Sequence, residues 1–255
     1  MNNQQSIERS DRRRFLVNAL GVTAGIGALA LMPEEAAEAQ DAISKMLVAK
    51  PLPEKVYTTE RAGISRKTHD EHYQLYLGYV KKVNEIRGKL KAMGVPDPKT
   101  ANQTFSDIRE LKVEYSFALG GVKNHEIYFA HLGGKGGDPT GPVADAISGA
   151  FGSFANWKAD LKSTGIGARG WVWLAHDPSD GTLFNYIGDS QNTFPVWGAT
   201  PILALDVYEH AYFIDFGRDR AKYIDAIFEV IDWNAVNANL KVAQAVADAV
   251  KGARA

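Results

Sequence analysis

An α+β fold, an N-terminal antiparallel helical hairpin domain followed by a C-terminal α/β domain with a small antiparallel sheet, is predicted by three features of the sequence. Two long segments in its first half carry apolar residues at helical spacing. A Gly/Pro-rich stretch, HLGGKGGDPTGP, follows them. Beyond it, short β-branched and aromatic runs flank turn residues instead.

The elements follow in order. Residues 1–39 read as an export signal: Arg12, Arg13 and Arg14 precede an apolar stretch over 16–32, and Ala37-Glu38-Ala39 supplies a small-x-small cleavage site. Arg12-Arg13-x-Phe15-Leu16 resembles a twin-arginine signal, a route that exports folded proteins. The expected location is therefore periplasmic or secreted, with membrane contact only through the signal before cleavage.

The helical hairpin domain spans 40–133. Its first helix covers 65–93, with His72, Tyr76, Tyr79, Val80, Val83, Ile86, Leu90 and Met93 along one stripe and Ser65 or Thr68 as its cap. Gly94 and Pro96 stop it. A second helix over 104–119 returns and is expected to close at Gly120-Gly121.

The α/β domain spans 134–236. Helices over 143–151 and 154–162 lead to a β-hairpin, 171–174 and 183–187, around the turn Pro178-Ser179-Asp180-Gly181. A third apolar run over 202–207 follows, then an amphipathic helix in RDRAKYIDAIFEVIDW. Residues 237–255 form a C-terminal helical tail to which no chemistry is assigned.

Composition narrows the chemistry. With 255 residues, 45% hydrophobic and a net charge of −1, the chain is globular and offers no basic tract for nucleic acid. It has no cysteine, which excludes disulfides, thiolate ligands and a Cys nucleophile. Any metal must use nitrogen and oxygen donors, and the chain has six histidines.

Three segments matter together: ISRKTHDEHYQLY with His72 on the buried stripe, GGVKNHEIYF with His125, and LALDVYEHAY with Asp206 and His210. Singly each has a plain reading: a core histidine, or an Asp-x-x-x-His local hydrogen-bonded pair. In conjunction they make a three-His, one-carboxylate site with a position left open, a donor set suited to manganese or iron. Buried Asp206 and His210 need such compensation in so apolar a run.

The chain resembles the iron/manganese superoxide dismutase family over residues 52–236. The resemblance is carried by Ile64-Ser65-x-x-Thr68-x-x-x-His72-Tyr73, Gly120-Gly121-x-x-Asn124-His125, Gly170-Trp171-x-Trp173-Leu174, Gln191 and Asp206-Val207-x-Glu209-His210-Ala211-Tyr212. It implies one manganese or iron ion per subunit, held by His72, His125, Asp206 and His210. Manganese is favoured because Gln191 comes from the sheet domain and Gly121 stands four residues before His125. It further implies superoxide as substrate, Gln191 hydrogen-bonded to the solvent ligand, and a homodimer or tetramer in which Glu209 reaches His210 of the other subunit.

The departures cluster at the gate. Tyr76 stands where a second His is usual, Val80 where the gateway Tyr is usual, and Tyr79 is one residue short, so a one-residue deletion in the first helix leaves Tyr76 or Tyr79 to serve. Phe213 replaces a Tyr that normally meets that missing His, and Tyr208 and Phe129 stand where Trp is common. The expectation is that the Tyr76 hydroxyl takes over at the site. His69 reads as a solvated first-turn residue, and His131 and His176 as surface residues. The competing readings are an exported dismutase-like metal-binding or structural protein with little turnover, and a metal-dependent hydrolase or oxygenase. Enclosing aromatic walls disfavour the latter.

Overall fold

The computed structural model describes residues 45–254; the expected export signal lies outside them. Helix α1, Arg66–Met93, runs without interruption and is capped by Ser65, whose hydroxyl accepts from the Thr68 amide. Its buried face is His72, Tyr76, Val80, Val83 and Ile86, the stripe that the spacing predicts. Helix α2, Asp107–Ala130, packs antiparallel to it.

Gly120-Gly121 does not end α2, contrary to the sequence expectation. The pair is needed for close approach. A Cβ on Gly120 would lie 2.3 Å from the Gln191 carbonyl oxygen, and one on Gly121 would lie 2.7 Å from the Tyr79 ring. Here glycine trades about 1 kcal/mol of helix propensity for the proximity of helix and loop, and His125 sits inside α2 instead of beyond it.

Helices α3, Pro142–Phe151, and α4, Phe154–Gly167, precede an antiparallel sheet of three strands, β1 (Trp171–His176), β2 (Leu183–Gly188) and β3 (Thr200–Asp206), in the order β2-β1-β3. The central strand β1 is buried throughout. Its register sets Trp171 opposite Gly188 on one side and Asp206 on the other, and Trp173 opposite Tyr186 and Ala204. Helix α5, Arg220–Phe228, follows β3. Helix α6, Trp233–Arg254, then covers the sheet, burying Val236, Leu240, Ala243 and Ala247, with Asn239 donating to the Ile202 carbonyl. Buried side chains such as Trp157, Trp171 and Leu174 form one continuous core, each stabilising it by roughly 1.5–3 kcal/mol.

Three histidines read as solvated are buried. His69 is fully buried against the 3₁₀ segment Glu54–Ala62, its Nε2 lying 2.7 Å from the Thr59 hydroxyl. His131, at the end of α2, donates from Nε2 to the Ala204 carbonyl of β3 at 2.7 Å, and the glycine-rich loop after it packs on Lys55 and on Glu229, Ile231 and Asp232. His176 ends β1 beside Gln244 and Ala247 of α6. Each was misread for want of a segment distant in sequence that covers it.

Burial holds His69 and His131 neutral, both with pKa lowered to about 4. The unfolded chain protonates them below about 6.5, so their stabilisation is complete above that pH and is lost as pH falls toward about 4. Urea midpoints of metal-stripped protein should therefore drop between pH 7 and 5, each His adding up to about 1.4 kcal/mol per pH unit to the slope. His131→Gln, which keeps a donor without a proton to titrate, should flatten that slope; equal slopes in the two proteins would contradict the assignment.

Candidate metal centre

The fold brings His72, His125, Asp206 and His210 together, with one candidate ligand atom from each lying within 4.8 Å of the others. Helix α1 presents His72, α2 presents His125, the end of β3 presents Asp206, and the 3₁₀ turn Glu209–Ala211 presents His210. Asp206 Oδ2 is the common point: His72 Nε2 lies 3.1 Å away, His210 Nε2 3.2 Å and His125 Nε2 3.8 Å. Asp206 is anchored by its other oxygen, which accepts from the Tyr208 amide, and by its carbonyl, which accepts from the Tyr223 hydroxyl at 2.8 Å.

The donor set fits a cation. His125 Nδ1 lies 2.6 Å from the Gly121 carbonyl, which can only accept. The ring proton is thereby fixed on Nδ1, and the Nε2 lone pair faces the cluster. That Nε2 is buried and has no hydrogen-bond partner among the described residues, a costly arrangement unless an ion completes it.

Electrostatics agree. Burial, reinforced by the cost of a second positive charge beside His72, lowers the His125 pKa to about 3, and burial also lowers that of His72. Both imidazoles therefore stay neutral. Burial pushes Asp206 up, but attraction and hydrogen bonds from His210 and His72 outweigh it and hold the carboxyl below its usual range. For His210 burial acts downward and Asp206 reverses it, so the net shift is upward. Three nitrogens and one anionic oxygen, with no thiolate, are the hard-to-borderline donors that iron and manganese accept.

Aromatic rings enclose the cluster. Phe129 and Tyr128 lie 5.1 Å from His72, Trp171 lies 5.2 Å from His125, and Tyr208 stacks on His210 at 5.3 Å. His210 alone of the four keeps substantial exposure, 28% of its side chain. The surface outside it is lined by Arg169, Arg220, Tyr208 and Glu209.

Gln191 is buried beside the cluster. Its Nε2 donates to the Tyr79 hydroxyl at 3.1 Å and its Oε1 accepts from Trp171 Nε1 at 3.0 Å. Asn124 Nδ2 donates to the Gln191 main-chain carbonyl at 3.1 Å, a bridging role that the Asn124-His125 spacing could have suggested. The Tyr79 ring lies 5.4 Å from His125.

Tyr76 goes elsewhere, against expectation. Its hydroxyl accepts from the Lys50 amide at 2.8 Å and faces Glu126 Oε1 at 3.3 Å. The reason is a strap ahead of α1: Leu47 is pinned by Asn84, the Lys50 carbonyl accepts from Tyr73, and Lys50 Nζ pairs with Glu126 at 2.7 Å. That strap supplies the partner for Tyr76. Glu209 is exposed, and among the described residues its carboxylate meets no hydrogen-bond or ion-pair partner.

Comparison with known proteins decides the family. Residues 139–239 match the family described as iron/manganese superoxide dismutases, C-terminal domain. An iron superoxide dismutase of Aquifex aeolicus is 38% identical over 192 residues, covering 74% of this chain and 90% of that protein. The chain belongs to the iron/manganese superoxide dismutase family. It is also similar to an iron superoxide dismutase of Cupriavidus metallidurans, 37% identical over 73% of this chain and 92% of the other. A manganese superoxide dismutase of Halobacterium salinarum is 34% identical, over 67% and 82% respectively.

Proposed function

We propose that the chain is a superoxide dismutase, with His72, His125, Asp206 and His210 as the ligands of one iron or manganese ion. The convergence of those four side chains on one point carries the reading. The ion, when bound, supplies one-electron redox chemistry: superoxide is oxidised to oxygen in one half-cycle and reduced to hydrogen peroxide in the other. Manganese is the preferred ion on the strength of Gln191 and Gly121, as the sequence reading has it.

The chain's own residues do the rest. Arg169 and Arg220 beside His210 draw a small anion toward the opening, and aromatic rings pack against His72 and His125 deeper in the cluster. The Tyr79 oxygen accepts from Gln191, which frees its own O–H to donate toward the space beside His125. Burial raises the Tyr79 pKa, so the phenol keeps that proton at neutral pH. Tyr79, held by Gln191, is the proton donor we assign to peroxide formation.

The functional unit we propose is a homodimer or a tetramer built from it. Among the described residues Glu209 has no partner, and the exposed Phe213 and Ile214 follow it in the chain, so a second copy offers Glu209 the imidazole of His210 and covers the apolar pair. Metal content, superoxide decay and sedimentation on one purified sample test the assignment together: about one ion per chain, fast decay, and at least twice the chain mass.

Export by the twin-arginine route is proposed from Arg12 and Arg13 with the Ala37-Glu38-Ala39 site. Changing both arginines to Lys should leave the precursor in the cytoplasm, whereas the unaltered chain should mature at Gln40. Mature protein outside the membrane after the double change would sink the route.

A further inference from the structure

Beyond the cluster, a line of rings crosses one face of the sheet. Trp171 meets His125 edge-on at 5.2 Å; Trp173 lies nearly parallel to Trp171, at 6.4 Å and 13°; Tyr186 stacks on Trp173 at 4.9 Å and 29°. The period of two along β1 puts both indoles on one face, and the register puts Tyr186 directly opposite Trp173. Gly188 clears the way: a Cβ there would lie 2.1 Å from the Trp173 ring. Burial falls along the line, from Trp171, fully buried, through Trp173 to the partly exposed Tyr186.

These side chains are also the ones that give up an electron most readily in a chain that has no cysteine. Each indole N–H is held by a neutral oxygen, Trp171 by Gln191 and Trp173 by Asn124 at 3.3 Å. Burial pushes the Tyr186 phenol up to about 12, so it starts protonated.

We propose that Trp171, Trp173 and Tyr186 form an electron path that drains one-electron oxidants from beside His125 to the protein surface. The proposal rests on the dismutase reading, because hydrogen peroxide is that reaction's product. A reduced iron ion, if held by His72, His125, Asp206 and His210, would supply the one electron that splits peroxide into hydroxide and a hydroxyl radical. Trp171 gives the radical an electron and, with one proton from the medium, water forms. Trp173 then refills Trp171 and Tyr186 refills Trp173, and Tyr186 releases its phenolic proton to solvent. The net change is hydroxyl radical plus Tyr186 phenol to water plus tyrosyl radical. A soluble one-electron reductant of the ascorbate class returns the phenol at the surface.

The test uses iron-loaded protein, reduced and then pulsed with one equivalent of hydrogen peroxide. Freeze-quench electron paramagnetic resonance reads the radical, and peptide mass spectrometry reads oxidation at each aromatic residue. Wild type should show a tyrosyl signal. Tyr186→Phe should lose it and accumulate several-fold more oxidised Trp171 and Trp173. Tyr186→Trp, which keeps an oxidisable ring, should bring Trp171 oxidation back to the wild-type level. Equal Trp171 oxidation in wild type and Tyr186→Phe overturns the path, as does the absence of any protein radical while peroxide oxidises the iron. Superoxide decay, measured on the same proteins before the pulse, should be equal in all three and reports on the dismutase reading separately. A silent decay assay beside the expected oxidation pattern would remove that reading and leave the path standing.

Discussion

Asp206→Ala is expected to purify folded, with iron and manganese at background and no superoxide decay above buffer. Asp206 supplies the only negative charge of the four converging side chains, and its Oδ2 lies within 3.8 Å of all three imidazoles. Without it, three imidazoles, two of them fully buried, face a cation with no counter-charge. The loss in metal affinity should far exceed the roughly 10–100-fold typical of removing a group that merely orients a ligand. The fold should survive, because the deleted side chain gives up its bond to the Tyr208 amide, about 0.5–1.5 kcal/mol, and its contacts with His72 and His210, while the backbone bond from Tyr223 remains. Circular dichroism matching wild type, alongside elemental analysis, checks both halves. Full metal occupancy in the variant would remove Asp206 from the ligand set.

Tyr79→Phe should keep its metal and lose turnover by roughly a hundredfold, the low end for a positioned proton donor since His210 is open to water. The substitution preserves the ring against Gly121 and deletes only the hydroxyl that accepts from Gln191. The deficit should widen at high pH, where bulk protons are scarce. Tyr76→Phe is the control: it frees the Lys50 amide and loosens the strap, at about 1 kcal/mol of stability, with turnover near wild type. A slow Tyr76→Phe beside a fast Tyr79→Phe would reverse the assignment of the gate.

The two tyrosines show how far the sequence carried. Both stand on the stripe of α1 that holds His72, four and seven residues on, and the spacing alone could not choose between them. The choice came from partners distant in the chain: Gln191 for Tyr79, and Lys50 with Glu126 for Tyr76. Periodicity located α1 and the strands well because each has one buried face to advertise. The glycine pair in α2 misled because close packing and helix termination leave the same mark in sequence. His69, His131 and His176 misled because the cover over each comes from another segment. The four-residue cluster was legible early since its chemistry, three imidazoles and a carboxylate without a cysteine in the chain, admits few uses.

The central claim is that turnover belongs to an ion held by His72, His125, Asp206 and His210. Stopped-flow superoxide decay, measured on protein whose iron and manganese have been quantified, tests it most directly. The rate should rise in proportion to bound ion, vanish when the ion is removed, and return on reloading. A fully loaded protein that consumes superoxide no faster than buffer would contradict the account and leave a metal-binding protein with the architecture of a dismutase.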